Sequence, residues 1–435
     1  MNIFINLLVL IIFQIGTYFI WFDKKNVFNH YYIGFCIAAY VIPSFLIDFY
    51  DLADDNIIDL YYKINFVGVL FYIFGILSGY KWKKIAIVDN VMKFRLYNDL
   101  VNSNFFYKTI VNTSKQIYLI SLIILIICFM YMGFLPIFAE DPYAAKQFKG
   151  IYHVRYQHIA FFYRTSKEFI QLLIPILVID FFNKRKISTF FLIIFGILLV
   201  FASLSRGDTV MGLLLSLSII VTMRRNNSFF VVYIILYVIM FLFGSSFWVI
   251  ATIFFPNTGF NSLSDNPTIL SAIASGAPDI YDHITFLNSF IREHSPFTYG
   301  LTFIGGLIPY NFKYNPSSWT LYILNNTNDI SDIASGGLRL PVSIWGYVSF
   351  GWFGVVLVPF FSAFFTGYII RKIKYLIYKL KPDANGLIAF YYYVFLYLNI
   401  GSIFFQFYRI SIYMFPSLFF YFLIIYFIKK KKAIL

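Results

Sequence analysis

The sequence predicts an all-α polytopic membrane protein, with about eleven transmembrane helices and a large extracytoplasmic loop that contains short helices. Three observations predict it. The chain of 435 residues is 60% hydrophobic and only 12% charged, where soluble domains carry about 25% charged residues. Apolar runs long enough to span hydrocarbon recur along the whole length, and no soluble domain of ordinary size fits between them. The 34 Lys and Arg residues fall in short clusters between those runs, so the formal net charge of +14 speaks of topology and not of nucleic acid.

In order, the runs place spans at 2–22, 30–49, 62–80, 116–135, 159–182, 187–204, 208–223, 228–256, 341–368, 387–408 and 410–428. The first has neither a basic segment ahead of it nor a small-residue cleavage site, and reads as a retained helix, not a signal peptide. Alternate loops hold Lys24-Lys25, then Lys81, Lys83 and Lys84, then Lys184-Arg185-Lys186, Arg224-Arg225, Arg371 to Lys381 and Lys429 to Lys432. About two thirds of the basic residues lie on that side, which the positive-inside rule makes cytoplasmic. The opposite side has the acidic Asp51, Asp54, Asp55 and Asp59. Cys36 and Cys128 both sit in apolar runs and read as buried filler.

The whole chain, 1–435, reads as one integral membrane domain with three long connections. Residues 85–115 form a basic cytoplasmic linker with interspersed apolar residues, suited to lie on anionic lipid. Residues 136–158 form an extracytoplasmic loop. Residues 257–340 form the largest one, far beyond ordinary loop length. Within it, Pro278 followed by Ile280, Ile284, Leu287 and Ile291 predicts a helix through Arg292. Asn315-Pro316 predicts a second helix start, with asparagine capping and proline first. Between them the apolar, glycine-rich stretch from Tyr299 to Pro309 is suited to dip into the membrane edge.

The outer half carries a sparse set of arginines: Arg155, Arg164, Arg206, Arg292, Arg339 and Arg409. They oppose the positive-inside trend, and a cation beside hydrocarbon is costly enough to imply a partner or a function. Arg164, Glu168 and Gln171 share one helix face with Lys167 alongside; the structural alternative there is an internal Arg164–Glu168 ion pair. Arg206 stands in Leu-Ser-Arg-Gly-Asp, read as a tight turn that Gly207 permits; its alternative is snorkelling to lipid headgroups. Arginine suits phosphate because its planar fork donates two parallel hydrogen bonds and keeps its charge. Several such forks meeting in a low-dielectric cleft would bind a pyrophosphate and stabilise it as a leaving group.

His153, His158, His283 and His294 fall in outer loops, where a neutral imidazole is able to take a proton from a sugar hydroxyl, although for any one of them the solvated loop histidine is the better reading. A metal site needs three or four ligands at recognisable spacing, and the sequence has none. It also lacks a Walker A loop, a GxGxxG after a strand, HExxH and GxSxG, so no nucleotide, metal or other cofactor is expected.

At the level of motifs and layout the chain resembles the Wzy-type oligosaccharide repeat unit polymerases of bacterial envelopes. The topology of nearly the whole chain carries the resemblance. Ser205-Arg206-Gly207 is similar to the family's Ser-Arg-Gly turn, and Tyr299-Gly300 through Leu307-Ile308-Pro309 to its Tyr-x-Gly…Ile-Pro stretch. Gly336-Gly337 followed by Gly346-Tyr347-Val348-Ser349-Phe350-Gly351-Trp352-Phe353-Gly354 is similar to its closing signature. Tyr310 departs from the arginine that members often carry after Ile-Pro, and Ile344-Trp345 from a glutamate often found before the final tyrosine.

The resemblance implies a glycosyltransferase of the bacterial inner membrane, facing the periplasm or outside. It would move a growing O-antigen or other surface glycan from undecaprenyl pyrophosphate to the next lipid-linked unit, without metal or nucleotide. Its partners would be those lipid-linked glycans, membrane lipids and a chain-length regulator. On this expectation Arg155, Arg164 and Arg206, with Arg292, Arg339 and Arg409, are candidates for the pyrophosphate. His158, His283 and Glu168 are candidates for the base. The alternatives are an O-antigen ligase, a metal-dependent transferase using the early aspartates, or a lipid-linked oligosaccharide flippase.

Overall fold

Backbone polar groups in hydrocarbon have no water to bond, and a helix satisfies them within its own segment. The computed structural model describes residues 3–41, 44, 53–94, 104–223, 227–245, 279–308, 313–327 and 337–432. These residues are helical with connecting turns, and the pairing among them outside helices is one isolated bridge between Gly306 and Ser411. In chain order the helices are α1 Ile3–Ile15, α2 Val27–Cys36, α3 Asp55–Lys81, α4 Ala86–Met92, α5 Asn104–Met132 and α6 Pro142–Gln147. Then come α7 His153–Lys184, α8 Ile187–Ala202, α9 Arg206–Met223, α10 Asn227–Ser245, α11 Asp279–Arg292, α12 Leu301–Ile304 and α13 Pro316–Asn325. The last are α14 Val342–Ile377, α15 Ala384–Phe395, α16 Ser402–Phe405 and α17 Phe415–Lys432. Asp51, Arg224-Arg225, Pro309-Tyr310 and Gly336 lie outside the described residues.

Among the described residues, four helices are long and apolar enough to cross a membrane by length and composition: Asp55–Lys81, Phe106–Phe138, Val342–Ile377 and Ala384–Phe405. Phe4–Phe19, Ile187–Ala202, Gly212–Met223, Phe230–Ile239 and Phe415–Phe427 are shorter and apolar. Hydropathy marks the hydrocarbon crossing and not the helix end, so several helices begin earlier than the apolar runs. α3 starts at Asp55, where a carboxylate favours the positive end of the helix dipole. α5 starts at Asn104, inside the stretch read as a linker, and α7 at His153, inside the stretch read as a loop. The turn before α9 also differs. Gly207 lies in the first turn of the helix, and the left-handed residue is the buried Leu204, at φ 55°. Both helices expected in the long outer loop are present, as α11 and α13, and the Asn315 side chain accepts the Ser317 amide at 3.1 Å.

The chain divides into two compact units. The first comprises residues 1–84, 234–371 and 401–412. In it α1 packs on α2 and α3, and α11 packs on α3 and α13. Gly75 and Gly79 let α3 approach the α14 backbone, since a β-carbon at Gly79 would lie 1.9 Å from the Phe364 carbonyl oxygen. Tyr61, Ile284, Leu287, Trp319, Ile344 and Trp345 belong to its apolar core. Ile344 and Trp345, the residues that depart from a glutamate, are fully buried there, where a carboxylate would lose its water.

α14 breaks at Phe350 (φ −142°, ψ 21°) and Gly351 (φ 60°, ψ −145°), a pair that only a glycine at the second position adopts without strain. Gly346 and Gly354 meet across the break, where a β-carbon on either would reach 2.3 or 1.9 Å from the other's carbonyl oxygen. The break frees helix carbonyls, and the Thr298 and Tyr299 amides bond two of them, on Val348 at 2.9 Å and Ser349 at 3.1 Å.

The second unit comprises residues 85–233, 372–400 and 413–435. α7 is its central element and packs on α5, α8, α9, α15 and α17. Tyr163, Ser166, Ile170, Leu173, Leu177 and Asp180 recur at helical spacing on its buried face. Pro175 interrupts the helix ladder there, and the nearby Leu172 carbonyl accepts the Tyr391 hydroxyl. The buried Asp180 carboxylate is held by the Lys115 ammonium at 2.7 Å, the Lys184 ammonium at 2.9 Å and the Tyr107 hydroxyl at 2.6 Å.

Candidate functional site

Of the six candidate arginines, three lie in each unit. In the second unit, α7 carries Arg155, His158, Arg164, Lys167 and Glu168 along its N-terminal half. The Arg164 Nε donates to the Tyr156 hydroxyl, two turns back, and its guanidinium lies 5.5 Å from that ring's centroid. Tyr156 is itself buried and stacked on Phe148, with ring centroids 3.6 Å apart. Phe148, just after α6, thus steadies the α7 ring that orders Arg164. One turn further on, the Lys167 ammonium donates to Ser205 Oγ at 2.6 Å. Ser205 immediately precedes α9, whose first residue is Arg206. The Arg206 side chain lies outside the description, but its backbone starts an 18-residue helix.

Arg155 lies one helix turn before His158, and its Nη1 is so near Gly133 that a β-carbon there would come within 2.8 Å. Arg155, His158 and Arg164 are exposed, and Glu168 is half-buried. The sequence alone did not single out the Lys167–Ser205 bond. The signal was the spacing of Lys167, three residues from Arg164 on the same helix.

In the first unit, Arg339 lies against α2, and Arg409 is within electrostatic reach of the same helix. The Arg339 guanidinium lies 5.4 Å from the centroid of Phe35. That of Arg409 acts electrostatically on the hydroxyl of Tyr32, one turn earlier on the same helix, and on Tyr408. Residues far apart in sequence are brought there by two splices. The Arg339 carbonyl is bonded to His283. The Ile410 and Ile412 amides donate to the Phe303 and Gly306 carbonyls at 2.8 and 3.0 Å, which ties the Arg409 turn to the stretch after Tyr299-Gly300. That stretch is bonded in turn to the break in α14. The stretch after Tyr299-Gly300 and the break in α14 are therefore one interlocked structure, edged by exposed Tyr299, Leu301, Ile304, Trp352 and Phe353. Such an apolar, aromatic rim suits a membrane edge.

Two candidates fall elsewhere. Arg292 ends α11, where it is exposed and 4.0 Å from Glu293. His283 is a correction to the expectation of a base. It is fully buried, Nε2 lies 2.7 Å from the Arg339 carbonyl, and Nδ1 lies 3.0 Å from the Tyr61 hydroxyl. Burial holds its pKa down to about 3, and the neighbouring Arg339 charge acts in the same direction. With both nitrogens bonded inside the protein, it has no site left for a substrate proton.

Among the described residues, no group of three or more His, Cys, Asp or Glu side chains is placed to hold a metal ion. Cys36 and Cys128 are free and buried. In comparisons with known proteins, no family model, curated protein or solved structure matches the chain.

Proposed function

We propose that the chain polymerises undecaprenyl-pyrophosphate-linked oligosaccharide repeat units at the outer face of a bacterial inner membrane, as the resemblance to Wzy-type polymerases implies. In this reading the five shorter apolar helices, with α2 and α7, complete about eleven crossings together with the four long ones. The observation that carries it is the Arg339 guanidinium over the Phe35 ring of α2, with Arg409 in electrostatic reach of Tyr32 on the same helix. A permanently charged fork against an aromatic ring, with a second charge acting on the same helix, is suited to the diphosphate of a lipid whose tail stays in the bilayer. Arg164 and Lys167, ordered by Tyr156 and Ser205, give the other unit a second cationic strip.

The chemistry follows from those charges. A hydroxyl oxygen of the incoming unit's sugar attacks the anomeric carbon of the growing glycan. The bond from that carbon to the pyrophosphate oxygen breaks, and undecaprenyl pyrophosphate leaves with the electron pair. Arginines stabilise the charge that develops on the leaving diphosphate, a contribution of the kind worth about 3 kcal/mol per donor in comparable sites. A general base takes the hydroxyl proton.

The test is the lipid-linked intermediate in a strain lacking the protein. Single repeat units accumulating on the outer face, with long surface glycan lost, support the proposal. Accumulation on the inner face points to a flippase. Long glycan accumulating on the lipid, never transferred onward, points to a ligase.

A further inference from the structure

His283 carries the residue type of a base, but its surroundings give it a different task. A carbonyl oxygen only accepts, so the 2.7 Å contact with the Arg339 carbonyl requires that Nε2 carry the proton. Nδ1 then has the lone pair, which accepts the Tyr61 hydroxyl at 3.0 Å. His283 and Tyr61 are both fully buried, in the core shared by α3 and α11.

The bond to Arg339 is one of several that fix a short extended segment between α13 and α14. Gly337 turns the chain at φ 92°. The Leu338 amide donates to Thr320 Oγ1 at 3.1 Å. The Arg339 carbonyl accepts from His283, Leu340 is buried, and Pro341 opens α14 by accepting the Ile344 amide at 3.0 Å. The Arg339 side chain therefore leaves a backbone fixed on both sides and reaches over Phe35. A long flexible side chain contributes most to binding when its root does not move, because less freedom is lost on contact.

We propose that His283, oriented by Tyr61, is a positioning residue that fixes the Arg339 backbone and so sets where the Arg339 guanidinium meets a lipid-linked diphosphate. This rests on the reading of Arg339 as a pyrophosphate contact.

The experiment measures the Kd of undecaprenyl pyrophosphate for the full chain in nanodiscs, beside the thermal unfolding midpoint of each variant. Arg339→Ala should raise Kd about tenfold, the scale of one charge-assisted contact. His283→Leu should raise it by a similar factor and add little when combined with Arg339→Ala. His283→Gln, whose amide nitrogen can occupy the Nε2 place and donate to the same carbonyl, should stay close to the unaltered protein. If His283→Leu fails to fold, Tyr61→Phe carries the test, with a smaller rise in Kd that vanishes in the Arg339→Ala background.

An unchanged Kd in His283→Leu, where Arg339→Ala raises it, would overturn the positioning role. So would a loss in His283→Gln as large as in His283→Leu, or a Tyr61→Phe effect that persists without the arginine. An unchanged Kd in Arg339→Ala would instead overturn the reading of Arg339 itself, whatever His283 does.

Discussion

The Asp180 carboxylate and the Lys115 ammonium meet at 2.7 Å, with the Asp180 side chain wholly removed from solvent and that of Lys115 26% exposed. α7 and α5 are joined through this pair, and Lys115 also donates to Thr189 in α8 at 3.2 Å. A buried ion pair adds little net stability compared with apolar residues, but removing one partner strands the other.

Lys115→Met should therefore lower the unfolding free energy by about 2 kcal/mol, because Asp180 loses one charge-assisted bond while still buried and keeps those to Lys184 and Tyr107. The double variant Lys115→Met/Asp180→Leu should recover much of that loss. Thermal unfolding of the detergent-solubilised protein reads both. Equal destabilisation in the single and double variants would show that the pair does not act as described.

Gly351→Ala tests the break in α14. At φ 60° and ψ −145° an alanine is strained, at a cost of about 1–3 kcal/mol. The expected outcome is a lower unfolding midpoint and a weaker hold on the Thr298-Tyr299 segment, read as faster amide exchange there. Amide exchange identical to that of the unaltered protein would contradict the interlock.

His283 gives a pH signature of stability. Its folded pKa of about 3 lies below the ordinary 6.5, so between those values the unfolded chain binds the extra proton. Stability from this residue is full above about pH 6.5 and falls as pH drops, by at most about 1.4 kcal/mol per unit. His283→Gln should remove that dependence. The check is unfolding at pH 7.5 and 5.5, where the unaltered protein should lose more stability than the variant.

Much of the fold could be read from composition and periodicity. Apolar runs located the helices, and Asn315-Pro316 and the Ile280–Ile291 spacing located two short ones in a long polar stretch. Hydropathy did not mark the starts of α3, α5, α7 and α9, because helix continues into water wherever its polar residues suit the helix end. The turn at Leu204 was missed because a buried leucine gives no warning of a left-handed backbone.

The arginines were legible one by one, as charges out of place. Their grouping was not, since the approach of Arg339 and Arg409 to α2 depends on bonds from His283 and Phe303 that no local pattern announces. His283 was misread for the same reason: its residue type suggests a base, and only its burial and two partners reveal a bracket. Asp180 and Lys115 were missed because an aspartate in an apolar run has meaning only once its cation is found in another helix.

In the second unit, Arg164→Ala should shorten surface glycan sharply while the protein still inserts and folds. Arg164→Lys should restore little, since an ammonium does not reproduce the fork that engages Tyr156. Glycan length profiles from cells with matched membrane levels of each variant provide the comparison. Full restoration by lysine would reduce the role of Arg164 to bare charge.

The most direct test of the central claim is the length distribution of surface glycan made by Arg339→Ala, Arg409→Ala and the double variant, with membrane insertion verified for each. The account predicts a strong loss of long chains in each single variant. In the double variant it predicts single repeat units only, with lipid-linked units accumulating outside. Normal chain lengths in the double variant would contradict it.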